Sequence, residues 1–241
     1  MSHRTFNHRI QHPARPRRRY AHPGACDRRR FLASAALVSG GSLLLASCAA
    51  PAPPRGGKGP EETTPPVAIP HAVIRMQSPN SALFGITTDG VLEITLEDVV
   101  RVHGYCAGGA AFAFRLAAEA FRALYGDRMP VRQDIRVQTS HHCCQAMALA
   151  YITGARTDFG AFRSRGDLVL IPEQERRAVF TDKPSGKTVA FALALNPHDT
   201  FEPLFKKAIA NPEFAPEVRR ALNEKIEEYL TAPAERLFTI L

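Results

Sequence analysis

The order of apolar and polar positions predicts a series of short strands and helices after about residue 80. Apolar and polar residues alternate in segments 83–86 and 91–96, on either side of Asp89-Gly90. Two alternating segments around such a dipeptide are typical of a β-hairpin with a tight turn. The pattern therefore predicts two paired strands at the beginning of the folded region.

Helical spacing follows this hairpin. Thr95 is placed to cap a short helix that extends to residue 102, with its acidic residues at the favourable N-terminal end. Segment 108–125 predicts a second helix with one buried face, ending at Gly126. Gly108-Gly109, at the start of that helix, indicates close packing against a neighbour. The apolar positions that recur at spacings of three and four are Phe114, Ala117, Phe121 and Leu124.

The remaining pattern mixes strands and helices without strict alternation. Ile135 and Val137 indicate a strand, after which Ser140 is predicted to cap an apolar helix over 141–152, ended by Gly154. Segments 168–171, 178–180 and 188–195 predict further strands, and 201–241 predicts helices interrupted by prolines. The predicted fold class is a single α+β domain with a mixed or antiparallel sheet packed on helices.

Composition changes this picture mainly at the N-terminus. The chain has 241 residues and a formal net charge of +8, but residues 1–30 contain nine arginines and a single acid. The remainder has 22 basic and 22 acidic residues. Because the body is neutral, broad electrostatic binding to nucleic acid is excluded as its main activity, and no nucleic-acid partner is expected.

The basic segment resembles a twin-arginine export signal. Arg28 and Arg29 are followed by Phe31-Leu32 and a short, weakly apolar run. The run ends in a Leu-Ala-Ser-Cys sequence that resembles a bacterial lipobox, in which the signal is cleaved before Cys48 and the thiol is acylated. This pattern predicts recognition by the twin-arginine translocation machinery and attachment to a membrane on its periplasmic side.

A proline-rich segment separates this signal from the folded region. Seven prolines lie between Ala49 and Pro70, a composition that cannot bury enough apolar surface to fold. The predicted organisation is a signal peptide over residues 1–47, an acylated cysteine and disordered linker over 48–70, and one domain over 71–241. The sequence is compatible with a homodimer of this domain.

Cysteine and histidine are concentrated in two short segments of that domain. Beyond the leader and Cys48, every cysteine and three of the five histidines fall in His103-Gly104-Tyr105-Cys106 or His141-His142-Cys143-Cys144. Thiolate and imidazole ligands suit zinc, copper or iron. We therefore expect a transition-metal site, with zinc favoured. The predicted ligands are His103, Cys106, His141 and Cys144, with Cys143 and His142 as alternatives.

Two other functions fit the same residues. Cys106 and Cys144 are each predicted at a helix N-terminus, where the helix dipole lowers a thiol pKa, so they suit a periplasmic redox protein with a reversible Cys106–Cys144 disulfide. Haem or iron, in an electron-transfer module, is the other alternative. Whether a bound metal is catalytic depends on an open coordination position, which leaves enzyme activity undecided.

At these segments the chain resembles the FmdE-like domains, the family named after a component of formylmethanofuran dehydrogenase. The resemblance rests on the His103–Gly108 segment, an alanine-rich helix containing Arg115, Cys144, and Thr153-Gly154, and it covers about residues 92–195. The family's second histidine has no counterpart, its proline is replaced by Ala107, and its acidic residue is missing after Cys144. The resemblance implies an α+β fold and a metal site formed by His103, Cys106 and Cys144.

Overall fold

A computed structural model describes residues 66–140 and 143–241, except for the side chains of Cys143 and Glu173. All described residues fall within one compact unit. The strands are β1 (Val73–Gln77), β2 (Val91–Thr95), β3 (Ile135–Ser140), β4 (Leu168–Ile171), β5 (Arg177–Asp182), β6 (Thr188–Leu193) and β7 (Phe238–Ile240). The helices are α1 (Pro79–Leu83), α2 (Leu96–His103), α3 (Ala107–Tyr125), α4 (Cys143–Thr153), α5 (Pro197–Ala210) and α6 (Ala215–Thr231).

The strands form a small sheet and a larger mixed sheet. β1 and β2 pair antiparallel by themselves. The second sheet has the order β4-β3-β5-β6-β7, in which β3 and β4 run parallel and every other pair is antiparallel. β3, α4 and β4 thus form one β-α-β unit at the sheet edge, because parallel neighbours need a crossover connection. This architecture confirms the predicted α+β domain with a mixed sheet.

Helix α3 lies at the centre of the molecule, packed against α2, α4 and α6. It is buried along most of its length because its first half is made of small residues and phenylalanines. Its apolar side chains meet β3, β5 and β6 through residues such as Ile135, Phe180 and Phe191. The core therefore fixes the N-terminus of α3 relative to the β-α-β unit.

Several predicted elements are confirmed with small shifts in their ends. Helix α2 has the predicted Thr95 cap, α3 starts one residue earlier than predicted, and β4 has the predicted bounds. Gly154, with φ of 74°, follows the end of α4. Ser140 ends β3, and its hydroxyl exchanges hydrogen bonds with the backbone of Arg177 on β5.

Two predictions about local structure are wrong. Segment 83–86 is not a strand: Pro79 begins the short helix α1, and β2 pairs with β1, outside the predicted hairpin. The C-terminal segment is not entirely helical, because Phe238–Ile240 joins the edge of the large sheet as β7. β1 lies before the predicted hairpin and β6 lies far before β7 in the chain, so local alternation of apolar residues specifies neither pairing.

No helix in the described part of the chain is long and apolar enough to cross a membrane. The residues of the predicted export signal and lipobox, Arg28, Arg29, Phe31, Leu32 and Cys48, lie outside that part. Export and acylation therefore stay predictions.

Candidate metal centre

The first Cys/His segment forms the turn between α2 and α3. His103 ends α2, and Gly104 terminates it with a positive φ of 98° and an N–H donated to the carbonyl of Val100. A residue without a Cβ adopts this left-handed conformation at little energetic cost. Two residues later Cys106 is the N-cap of α3, so one tight turn holds the imidazole and the thiol together.

The second segment contributes Cys144 from the first turn of α4. This helix start is attached to β3 by a hydrogen bond between the Gln145 side-chain amide and the Thr139 hydroxyl, both buried. A buried amide needs such a partner, because leaving it unsatisfied costs about 1–3 kcal/mol. Cys144 is therefore held at the end of a core strand, and it faces the start of α3.

The two sulfurs meet over Gly109. A Cβ atom placed on Gly109 would lie 2.8 Å from the Sγ of Cys144 and 3.1 Å from the Sγ of Cys106. The Cys144 thiol hydrogen-bonds to Cys106, and the Gly109 N–H donates to the Sγ of Cys106 at 3.4 Å. Both cysteines are buried and both are free thiols. The contact between segments that are far apart in the chain is the central geometric feature of this site.

The surroundings of Cys106 favour its thiolate. The hydrogen bond from Cys144 lowers the pKa of Cys106, burial raises it, and the bond from the Gly109 N–H lowers it again, with a net decrease. The direction agrees with the prediction from its place at a helix N-terminus, although the neighbouring thiol has the larger effect. A proton shared between two sulfurs leaves one of them ready to bind a soft cation.

His103 is buried beside this pair. Burial lowers the pKa of His103, which favours the neutral imidazole at pH 7. Its Nδ1 accepts a hydrogen bond from the backbone N–H of Cys106 at 3.2 Å, so Nε2 carries the ring proton. That Nε2 is buried without a hydrogen-bond partner. To bind a metal through Nε2, His103 would have to move its proton to Nδ1 and give up the bond from Cys106.

The structure describes three of the predicted ligands. Cys106 and Cys144 are in contact and His103 adjoins Cys106, whereas His141, His142 and the side chain of Cys143 lie outside the described residues. Across 66–140 and 143–241, no three Cys, His, Asp or Glu side chains form a group that could hold a metal ion. A metal held by the sulfur pair would therefore need at least one ligand from segment 141–143 or a tautomer change at His103.

The donor chemistry of the sulfur pair fits a soft transition metal. Two thiols, one with a lowered pKa, lie beside an imidazole whose Nε2 has no other partner. Both cysteines are also among the residues that line a cavity of about 370 Å³. The structure lends no support to a Cys106–Cys144 disulfide or to haem binding.

The sequence pattern did not identify the residues of α5 and α6 that pack around the sulfur pair. Helix α5 forms one wall of the cavity through Phe201 and Phe205, and Tyr229 of α6 is buried next to Cys106. Burial is the main reason that the pKa of Tyr229 rises to about 12, with smaller effects from Glu228 and Cys106. The four-residue spacing of Phe201 and Phe205 was the only local signal, and it is equally typical of a core helix.

A protein-family model matches the part of the chain that contains this site. The FmdE family model, described as "Molybdenum formylmethanofuran dehydrogenase operon", matches residues 102–239, more than half of the chain. The chain therefore belongs to the FmdE family. The match begins one residue before His103 and ends within β7, so it includes the sulfur pair together with α5 and α6. The family description connects the domain with the operon of a molybdenum enzyme, and so with a metal-related role.

No curated protein matches this chain.

Proposed function

We propose that this chain is an exported, lipid-anchored protein whose FmdE domain binds a transition metal, with zinc favoured, through Cys106 and Cys144. His103 and His141 complete the proposed ligand set, with His142 and Cys143 as alternatives. The observation that carries the proposal is the contact between the thiols of Cys106 and Cys144, the first of which has a lowered pKa. Family membership adds the metal-related setting.

Access from the cavity favours a site that acts on a ligand over one that only stabilises the fold. Structural zinc sites are closed by four protein ligands, whereas catalytic sites keep a position open. Cys106 and Cys144 both line a cavity of about 370 Å³. A zinc ion held by these cysteines would supply a Lewis acid. The protein would supply the thiolates, the preorganised turn at Cys106 and the walls that orient a small molecule.

Export rests on the sequence pattern alone. The proposed route uses the twin-arginine machinery, which reads Arg28, Arg29, Phe31 and Leu32, and ends with an acyl group on Cys48 that anchors the protein on the periplasmic side.

The test of metal binding is elemental analysis of the purified full chain after equilibration with zinc and removal of loosely bound ions. We expect about one zinc ion per chain, most of it lost in Cys106→Ser and in Cys144→Ser. His71→Ala is a matched control, because His71 is an exposed imidazole far from the sulfur pair in sequence. Unchanged zinc content in both cysteine variants would reject the assignment. If zinc is lost as expected, the zinc contents of His103→Ala and His141→Ala identify the other ligands.

A further inference from the structure

The cavity above Cys106 and Cys144 has the size of a small-molecule site. Its volume of about 370 Å³ lies in the lower part of the range of about 300–1,000 Å³ found for ligand pockets. An apolar cavity of about 150 Å³ already accommodates benzene. One small organic molecule therefore fits.

Tyr105 and Phe205 are the accessible aromatic rings of this cavity, and Phe201 is fully buried at its base. The Tyr105 and Phe205 rings meet edge to face at a centroid distance of 5.6 Å, and Phe205 stacks on Phe201 at 5.9 Å with an interplanar angle of 22°. Such ring faces and edges favour another planar ring, because aromatic pairs gain about 0.5–1.5 kcal/mol beyond the apolar area that they bury. The wall therefore selects for an aromatic ligand.

The charged side chains at the rim compensate one another. Glu202 accepts from His198 at 3.0 Å and pairs with Lys206 at 2.6 Å, each one helical turn away on α5. The positive charge of Lys206 thus balances the carboxylate. A ligand with a net charge gains little from such a rim, because its charge would compete with an ion pair that is already formed.

The cavity has a tightly packed base and an apolar opening. Phe201 is fully buried, and a Cβ atom on Gly108 would lie only 2.3 Å from its ring. This close packing joins α5 to the first turn of α3, so the pocket is formed before a ligand arrives. At the mouth, Ile209 and Tyr105 are 82% and 66% exposed, which leaves apolar surface available for contact with a ligand.

We propose that this cavity binds a small uncharged molecule with a planar aromatic ring, held by Tyr105 and Phe205, with a polar substituent directed toward Cys106 and Cys144. The role of the substituent rests on the proposed metal site. The binding of the ring rests only on the cavity.

The test is a ¹⁹F NMR titration of the full chain carrying Cys48→Ser, which removes the proposed acyl group from competition. The probe is 4-fluorobenzyl alcohol, compared with the anion 4-fluorobenzoate, with and without zinc. We expect the alcohol to bind more tightly than the anion. Phe205→Ala should weaken it by about three- to tenfold, which corresponds to the energy of one aromatic contact. The milder surface change Ile209→Ser should also weaken it, because it removes apolar contact area at the mouth.

The matched control is Ile240→Ser. Ile240 is 63% exposed and lines a different cavity, of about 420 Å³, together with Phe191 and Phe238. Its substitution should leave probe binding unchanged. Failure of the alcohol to bind at millimolar concentration, tighter binding of the anion, or equal weakening by Ile240→Ser would overturn the proposal. Binding of the alcohol without zinc would support the proposed ring site even if the metal assignment fails. Zinc binding without binding of the alcohol would reject the ring site and leave the metal assignment intact.

Discussion

At the scale of single residues, two adjacent glycines pack against different neighbours. Gly109 packs against the sulfur pair, and Gly108 packs against α5. A Cβ atom on Gly109 would lie 2.7 Å from the Cβ of Cys144, whereas one on Gly108 would lie 2.3 Å from the Phe201 ring. Real Cβ atoms do not approach that closely, so either substitution forces neighbours apart. The two glycines differ in which neighbours must move.

This difference predicts distinct effects of two alanine substitutions. Both Gly108→Ala and Gly109→Ala should lower the free energy of unfolding by about 1–3 kcal/mol, because they overpack a dense core. Only Gly109→Ala should also reduce zinc content, since it separates the sulfurs. Urea unfolding and elemental analysis of the two variants check this. Equal loss of zinc in both would show that Gly109 has no particular role at the sulfur pair.

The sequence indicates part of this residue-scale arrangement. Gly108-Gly109 predicts close packing, which is confirmed. The pKa of Cys106 is lowered in the predicted direction, mainly by the hydrogen bond from Cys144 and less by the Gly109 N–H at the helix start. The residues that pack there, Phe201 and Cys144, could not be identified in advance, because contacts between distant segments depend on how α3, α4 and α5 assemble.

At the scale of elements, α2 is fixed by a capping box that sets the position of His103. The Thr95 hydroxyl accepts from the Asp98 N–H, and the Asp98 carboxylate accepts from the Thr95 N–H, each at 3.0 Å. Hydrogen bonds from the Thr95 side chain and backbone lower the pKa of Asp98. Helix starts of this kind orient the whole element, because they satisfy donors that have no intrahelical partner.

The lowered pKa of Asp98 predicts a pH-dependent stability. Since the ionised form is favoured in the folded state, its contribution is full above the ordinary aspartate pKa of about 3.9. It is lost as the pH falls through the lower folded-state value. Asp98→Ala should lower the free energy of unfolding by about 0.5–1 kcal/mol at pH 7, and the difference from wild type should narrow below about pH 4.

Denaturant unfolding between pH 3 and 7 measures this effect, with Glu224→Gln as the control. Glu224 is an exposed carboxylate on α6, so its substitution should change stability little at any pH in this range. A constant difference between Asp98→Ala and wild type down to pH 3 would contradict the linkage.

Local pattern predicted where elements lie in the chain better than which strands pair. Helices α2 and α3 and strand β4 follow from capping residues and spacing, which are properties of neighbouring residues. The pairing of β1 with β2 and of β7 with β6 does not, because it depends on which segments the assembled core brings side by side.

At the scale of the whole molecule, Arg115 connects the central helix to the end of α6. Its guanidinium donates to the carbonyls of Leu230 and Ala232, and its Nε pairs with Glu119 at 2.9 Å. The last carbonyls of a helix have no intrahelical donors, so the half-buried guanidinium of Arg115 is a suitable cap. The sequence singled out Arg115 only through the family resemblance, and the structure gives it this role.

Arg115→Met should therefore destabilise the fold without altering the metal site. We expect a loss of about 2 kcal/mol in the free energy of unfolding, typical of hydrogen bonds to a charged group, and unchanged zinc content in the folded protein. Arg101→Met is the matched control, because Arg101 forms an exposed pair with Glu97 and should contribute less than about 1 kcal/mol. Urea denaturation of both variants compares them directly, and equal effects would refute the capping role.

The proposed export and anchor make a separate prediction about location. Replacing Arg28 and Arg29 with lysine should retain the protein in the cytoplasm. Cys48→Ser should remove the acyl group and so reduce membrane attachment. Cell fractionation and immunoblotting distinguish these outcomes. Membrane attachment that persists in Cys48→Ser would contradict the lipid anchor.

The sequence by itself determined the fold class, the helices around the first Cys/His segment and the chemical character of the candidate site. These depend on residue types and on local spacing, which any stretch of chain displays before it folds. Only the tertiary structure brought the two sulfurs into contact and placed α5 over them. Those contacts join positions about forty and a hundred residues apart, and the packing of α3 against α4 and α5 decides them.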